Sequence, residues 1–480
     1  MKNENRYYIR ILSPLHIGCD EVYDPTGFTV DENAGALTAF DPLDFFRSLD
    51  AKEKSRYADI CGKGTIESII ELYKFMRGRS FDGHAVGLCS GFITLYKKTL
   101  GISTHDRRRI QQELNSFSIS RTSFDPVTQK SYIPGSAIKG ALRTAYLNRV
   151  AKERRVQYDR RDRKAADALE RGLLNYQSLE NDPFRLLKVS DFHAVGTCRT
   201  KIVFAVNEKK APSRFAARGP YQILEIIEPG AFFTGTVRVL EPPGRNVVAE
   251  PLSEKAIFDS ASAFYKGEKE REDDELRGAG IPPFMPASGG ETIWLRLGRH
   301  SGAESLTIAG HRNIKIMRKR GERPGYAGGA TTFWLSADSP SGYQKTDLRP
   351  FGWASIGQIT EELKQTLEKI RLDEEKASFH STKVIPPPAA PTAPPAEKKV
   401  EIAPEVWPEA YLSFNAGGGG VLTATATDGR KAELRGKEKA MSTVHDSLRG
   451  KLFEAKKSLS KARVTVVKTG NKYEIVSVEP

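Results

Sequence analysis

SYIPGSAIKGALRTAYL, residues Ser131 to Leu147, carries the most informative pattern in the chain. Pro134 and Gly135 terminate an extended segment, and Ser136 reads as a helix N-cap. Ile138, Ala141, Leu142 and Ala145 then recur at turn spacing and form the buried face of a helix, which leaves Lys139, Arg143 and Tyr146 on the opposite face. Backbone N–H groups at a helix start, with Lys139 one turn in and Arg143 a turn later, offer a seat for successive phosphates of a nucleic-acid backbone. An ordinary capped helix with solvated basic residues would carry the same pattern. The spacing excludes a nucleotide-binding P-loop, because Ala141 follows Gly140 where that loop needs Lys. Gly62 and Gly64 lack the third glycine of a dinucleotide fingerprint.

Outward from this helix, composition sets the class. The chain has 480 residues, more than one hydrophobic core usually supports, so at least two globular units are expected. Lysine and arginine number 74 against 60 acidic residues, a formal charge of +14 that favours a polyanionic partner through counterion release. Cys19, Cys61, Cys89 and Cys198 are widely separated and form no C-x-x-C pair, which argues against a disulfide framework or a zinc knuckle. No run of about 18 apolar residues is present to span a bilayer, and the start, MKNENRYYIRILSPLHIG, alternates like a strand and has no secretory h-region. A cytoplasmic protein without membrane contact, metal or cofactor is expected.

Tyr7 to Ile17 reads as a first strand, with Tyr8, Arg10 and Leu12 on one face and Tyr7, Ile9 and Ile11 on the other. Helical spacing follows between Asp41 and Phe81, and again from Ala165 to Leu179, before strands at LLKVSDF, CRTKIVFAV, YQILEII and FFTGTVRVL. The charged run GEKEREDDELRG reads as a solvated helix face. TIWLRLG and TTFWL frame a glycine-rich loop, and a helix is expected from Ser355 to about Asp373. Residues 383–399, KVIPPPAAPTAPPAEKK, hold too much proline to pack and form an extended linker. Beyond it, short strands, a basic helix over Lys437–Leu459 and a hairpin turning at Gly470 and Asn471 make a small α+β module. The resulting division is 1–200, 201–375, a Pro/Ala-rich linker over 376–403, and a basic module over 404–480.

Three motifs in this order, ILSPLHIGCDEVYDP near the start, YIPGSAIKGALRTA in the middle, and LRLGRHSGAESLT with LRPFGWA near residue 350, resemble the subunit-five family of Csm-type RAMP proteins over roughly residues 6–355. The resemblance implies α+β, ferredoxin-like (RRM-related) domains with helical insertions, preceding the C-terminal module. It also implies a non-catalytic subunit of a type III-A CRISPR complex that binds the 3′ part of the crRNA, caps the backbone filament and supports crRNA maturation in antiviral defence. Its partners would be crRNA, other complex subunits, above all the repeated backbone RAMP protein, and a recruited nuclease. Carried over by residue, Gly135, Ser136, Lys139 and Arg143 match the loop and helix that contact the guide backbone. Gly298, Arg299, His300, Ser301 and Gly302 fall in the family's glycine-rich loop, where Arg299 and His300 stand in place of the frequent aromatic.

Less specific basic clusters occur at Arg107, Arg108 and Arg109, at Arg154, Arg155, Arg160, Arg161 and Arg163, and along the C-terminal helix from Lys437 to Lys461. The competing reading is a metal-independent endoribonuclease that processes crRNA, with His16 as general base. Against it, no second histidine or tyrosine is placed by sequence as the acid, and a histidine hydrogen-bonded at a strand end accounts for His16. A stand-alone RNA binder is disfavoured because no aromatic RNP-type motif sits on a recognisable strand pair.

Overall fold

A computed structural model describes residues 6–480 except 104–105, 115–116, 159–163, 212, 214–216, 218, 245–246, 285–292, 318–320, 382–403, 416–419, 456–457 and 470–471. Two compact units result, Met1–Lys383 and Val384–Pro480. Most of the expected linker lies outside the described residues.

The first unit is mixed α+β and holds two main sheets. Its first sheet is built on β1 (Arg6–Ile11), whose alternation buries Tyr7, Ile9 and Ile11 and turns Arg6, Tyr8 and Arg10 outward. Across the sheet the order is β13 (Ile293–Arg296), β18 (Trp353–Gln358), β1, β12 (Phe232–Val239), β9 (Phe192–Val195) and β7 (Tyr132–Ile133), with β8 (Leu187–Val189) also on β12. Every pairing in it is antiparallel. Two helices complete its core, α6 (Gly135–Glu153) and α8 (Glu254–Gly278). Ile138, Ala141, Leu142 and Ala145 of α6 join Ile9, Phe233 and Tyr265 in one buried cluster, and the Tyr265 hydroxyl donates to the Ala141 carbonyl at 3.1 Å.

The second sheet has nine strands: β2 (Gly18–Val22), β6 (Ile119–Thr122), β11 (Gln222–Ile227), β10 (Thr200–Lys209), β5 (His84–Leu88), β4 (Ala36–Ala39) and β3 (Phe28–Asp31), with β16 (Thr332–Ala337) on β10 and β17 (Arg349–Pro350) on β16. A separate pair joins β14 (Ile314–Ile316) to β15 (Gly325–Ala327). Helices α1 (Pro42–Ser48), α2 (Ala51–Gly62) and α3 (Ile66–Met76) are inserted between β4 and β5 around Phe45, Tyr57, Leu72 and Phe75. Helices α4 (Ser90–Leu100) and α5 (Arg107–Leu114) follow β5, α7 (Ala165–Leu174) follows α6, and α9 (Glu361–Ser381) closes the unit.

Four expectations change. Residue 200 is no boundary, because both sheets take strands from either side of it, and β1 itself is paired with β12 and β18. Ser355 lies in β18, and the helix begins only at Glu361, since Trp353–Ile356 are needed as buried strand. Ser136 is exposed within the first turn of α6, whose N-cap is Pro134. The run Gly267–Gly278 of α8 is solvated on one face only: Glu270, Asp274 and Arg277 are exposed, but Glu268, Lys269, Glu272 and Asp273 are all buried and paired. Glu272 accepts from Arg296 at 2.6 Å and from the Trp353 indole at 2.7 Å, Glu268 accepts from Arg312 at 2.6 Å, and Lys269 pairs with Asp273 at 2.5 Å.

In the second unit β19 (Glu405–Asn415), β20 (Val421–Thr425), β21 (Lys431–Arg435), β23 (Lys472–Glu479) and β22 (Leu459–Thr469) close a barrel. The expected basic helix is instead α10 (Lys437–Thr443), α11 (Asp446–Arg449) and a π-helical turn over Gly450–Glu454, and the expected hairpin turn falls outside the described residues.

Candidate nucleic-acid interface

Asp191 accepts from the backbone N–H of Gly135 at 2.8 Å and so supplies the capping oxygen that Pro134 cannot. Glycine is required at 135 because a Cβ there would lie 2.4 Å from the Val189 carbonyl oxygen and 2.6 Å from that of Ser190. This close approach sets the start of α6 against β8 and opens a cleft of about 540 Å³ lined by Gly135, Ser136, Lys139, Lys188, Ser190, Thr236 and Arg238, among others.

Three cations meet there. Lys139 is half-buried and donates one of its ammonium hydrogens to the Leu187 carbonyl at 3.0 Å, leaving two for an anion. Burial, then the neighbouring Lys188 charge, hold the Lys139 amine below the ordinary lysine value. Lys188 and Arg238, both exposed, stand directly opposite each other in the β8–β12 register. Like charges so placed are destabilising in the free protein, and an anion relieves them. Sequence reading missed both, because each is a single cation in its own strand and only the register joins them.

Arg143 takes a different place. Its guanidinium donates to Glu170 at 2.9 Å, to both Asp182 oxygens at 3.1 and 2.9 Å and to the Tyr176 hydroxyl at 3.3 Å, over the Phe184 ring. Burial opposes its charge, but the two carboxylates raise its pKa above the ordinary value. Its hydrogen bonds tie α6 to α7 and to the turn at Pro183–Arg185. Tyr146, expected on the same open face, is buried against Phe184.

Outward of the cleft, residues 232, 234, 236 and 238 of β12 share one face by alternation. Thr236 is opposite Arg6, Thr234 opposite Tyr8 and Phe232 opposite Arg10, with the Tyr8 and Phe232 rings 6.3 Å apart and Arg10 over Phe232 at 5.5 Å. The paired strands thus carry an aromatic and basic pair that the sequence did not disclose, its members lying far apart in the chain.

The glycine-rich loop forms a second locus, and none of Gly298 to Gly302 lines the cleft. Gly298 has φ +73°, and a Cβ on it would lie 2.3 Å from the His16 carbonyl oxygen; the Arg299 N–H donates to that oxygen at 2.8 Å. His300 packs on Trp334 with ring centroids 4.5 Å apart and meets Gln222 at 3.2 Å; burial, then Arg299 and His16, push its pKa down to about 3. The buried Ser301 hydroxyl donates to the Leu297 carbonyl at 2.8 Å, and Gly302 has φ +80°. Of the five, Arg299 and Gly302 are exposed, and Arg299 is the one with a charged side chain.

His16 is 0% exposed, its Nδ1 2.7 Å from the Glu225 carbonyl oxygen. Arg107 pairs with Glu67 at 3.3 Å and Arg154 with Glu250, while residues 159–163 lie outside the described residues. Among the described residues, no group of three or more His, Cys, Asp or Glu side chains is placed to hold a metal ion, and no helix is long and apolar enough to cross a membrane.

Among curated proteins, one from Methanocaldococcus jannaschii named CRISPR system Cms protein Csm5 is 28% identical over 211 residues, 39% of this chain and 46% of the relative. The match thus spans about half of that relative's length. Among solved structures, a chain from a cryo-EM structure of a Csm–crRNA–target RNA ternary complex in a type III-A CRISPR-Cas system superposes with a TM-score of 0.48 at 18% identity, covering 74% of this chain and 100% of the other. Csm5 of T. onnurineus gives 0.41 at 18% identity, covering 72% and 99%. Residues 8–279, more than half the chain, match the family model described as the RAMP superfamily, and this protein belongs to that superfamily.

Proposed function

We propose that this chain is a non-catalytic, RNA-binding subunit of a Csm-type (type III-A) CRISPR effector complex, working in the cytoplasm. In this reading it binds the 3′ part of the crRNA, caps the filament of repeated backbone subunits and supports crRNA maturation. The observation that carries it is the convergence of Lys139, Lys188 and Arg238 at the start of α6, two of them opposed across a strand pair with no carboxylate between their registered positions. Such an arrangement has an electrostatic cost without an anion and suits backbone recognition that ignores sequence. Gly135 and Ser136 bring the helix start to the phosphate, and Arg143 orients α6 from behind. The name of the Methanocaldococcus jannaschii relative agrees with this reading.

The order β1, α6, β9, β12, α8, β18, with β18–β1–β12–β9 side by side and antiparallel, supports assigning the first sheet to the ferredoxin-like, RRM-related class. Tyr8, Arg10 and Phe232 continue the path from the cleft and give a strand a surface for stacking. Arg299 is the contact assigned to the glycine-rich loop; Gly298, His300, Ser301 and Gly302 hold its shape. The endoribonuclease reading loses its base, because His16 is sealed from solvent. The test is binding and cleavage of repeat-spacer RNA by the purified chain, with magnesium and with EDTA. Binding without cleavage in both supports the proposal, and cleavage that co-purifies with the chain through every step overturns it.

A further inference from the structure

The strand circuit of the second unit is β19–β20–β21–β23–β22 and back to β19. Only β21 and β23 run parallel, and α10 and α11 lie between the third strand and the fourth. Five strands in this order make an OB-type barrel, in which the outer face of the second and third strands is the usual ligand surface. A fold does not assign a function, so the side chains on that face must.

Leu412, Leu422, Ala424, Ala432 and Leu434 point into the barrel core. The alternating positions therefore face outward, and the register aligns them in three rows: Tyr411, Thr425 and Lys431; Ser413, Thr423 and Glu433; Asn415, Val421 and Arg435. Other aromatics of the unit are spoken for. Trp407 and Tyr473 have centroids 5.4 Å apart and share the Arg430 guanidinium, and Phe414 packs on Phe453 at 4.7 Å. Tyr411 is 52% exposed, beside a threonine in its row.

Lys431 and Arg435 are both exposed on β21, about 13 Å apart along the strand at its ordinary rise. Among the described residues Lys431 forms no ion pair, and Arg435 reaches Glu433 only at 3.9 Å. Residues 404–480 carry 13 lysines and arginines against 9 acidic side chains. An exposed ring, a floor of small hydroxyl side chains and cations along one border make a surface for a strand whose bases are unpaired.

We propose that the outer face of β19, β20 and β21 is a second RNA site, which binds single-stranded RNA of any sequence by stacking a base on Tyr411 and holding phosphates with Lys431 and Arg435. It goes beyond the cleft at α6 and shares no residue with it.

The test uses the full chain carrying Lys188→Glu, which weakens the first site, and a ~12-nucleotide oligouridylate with 4-thiouridine, within the ~4–16 nucleotides an OB fold covers. Ultraviolet cross-linking should recover a peptide containing Tyr411. Tyr411→Ala should weaken binding, read by fluorescence anisotropy, at least about fivefold, and Tyr411→Phe by less than about twofold. Lys431→Ala with Arg435→Ala should lower the log–log salt slope by about 1.4. Cross-links confined to residues 1–383, or Tyr411→Ala and the double variant both matching the parent, would overturn the proposal. Unchanged RNA affinity with loss of co-purifying protein subunits would also overturn it and make the face a protein-docking surface. Failure of the cleft reading would instead leave the Tyr411 cross-link intact.

Discussion

Lys188→Glu should move stability and RNA binding in opposite directions. In the free protein Lys188 faces Arg238 across β8 and β12 and lies beside Lys139. Replacing one of two opposed like charges by its opposite removes a repulsion and adds an attraction, each about 0.2–1 kcal/mol at an exposed strand pair. The variant should therefore be more stable by about 0.5–1.5 kcal/mol, read as a higher urea midpoint with unchanged slope. For RNA the sign inverts. A unit charge about 6 Å from a phosphate contributes on the order of 1 kcal/mol near a protein surface, and reversal counts twice, so about 2 kcal/mol or roughly thirtyfold is lost at low salt. Anisotropy titrations at several salt concentrations should also show the log–log slope falling by about 0.7 for the lost cation. A variant that is stabilised but binds RNA as the wild type does would refute the cleft as an RNA site. One that is destabilised would refute the strand register on which the reasoning stands.

Arg143→Ala should lower stability by about 2–4 kcal/mol, because it leaves Asp182 buried without its cation, while the salt slope of RNA binding stays within error of wild type; a slope lowered by about 0.7 would restore Arg143 as a phosphate contact. Glu272→Gln should cost about 3–5 kcal/mol in urea unfolding by stranding the buried Arg296, and a loss below about 1 kcal/mol would show that the pair is not needed. Half-buried neutral His300, with its pKa pushed down to about 3, takes up no proton in the folded chain between pH 6.5 and 3 whereas the unfolded chain does, so stability is complete at pH 7 and falls by up to about 1.4 kcal/mol per pH unit below 6.5. Burial lowers His16 and His84 in the same sense and raises the Glu225 carboxyl in the opposite one; a His300→Gln chain with the wild-type pH slope would exclude His300 as a contributor. Gly298→Ala should destabilise by at least about 1–3 kcal/mol from its positive φ alone, and a neutral result in thermal unfolding would mean the loop is not held against His16.

Local patterns carried a good part of the fold. The alternation of RYYIRI set the correct faces of β1, and the spacing of Ile138, Ala141, Leu142 and Ala145 gave the correct buried side of α6. What escaped was set by residues remote in sequence. Arg143 looks like Lys139 in a helical projection, but Glu170 and Asp182 arrive from another helix and a turn to enclose it. Glu268 and Glu272 read as solvated because charge pattern reports composition; Arg296, Arg312 and Trp353 come from later strands and loops to pair with them inside. Lys188 and Arg238 stayed unnoticed for the same reason, since antiparallel register is a property of two segments together.

Gly298 and Gly352, from LRLGRHSGAESLT and LRPFGWA, have a common physical cause. The chain passes from the first sheet to the second through Leu12–Ile17, returns through Phe351 and Gly352, and leaves β13 through Leu297–Gly302. At this crossing Gly298 abuts the His16 carbonyl and Gly352, with φ +84°, would place a Cβ 2.2 Å from the Leu297 carbonyl. The Gly352 N–H donates to Pro14 and the Leu297 N–H to Gly352, both at 2.8 Å. Backbones this close satisfy one another's polar groups and leave no room for side chains. The first glycine of LRLGRHSG therefore follows from joining two sheets, with His300 inserted between Trp334 and Gln222 as part of the joint. A phosphate approaching this loop would meet the guanidinium of Arg299, while the Arg299 N–H is already given to the His16 carbonyl. In the proposed reading, contact with RNA at this locus would therefore rest on the Arg299 side chain, whereas three cations line the cleft at α6.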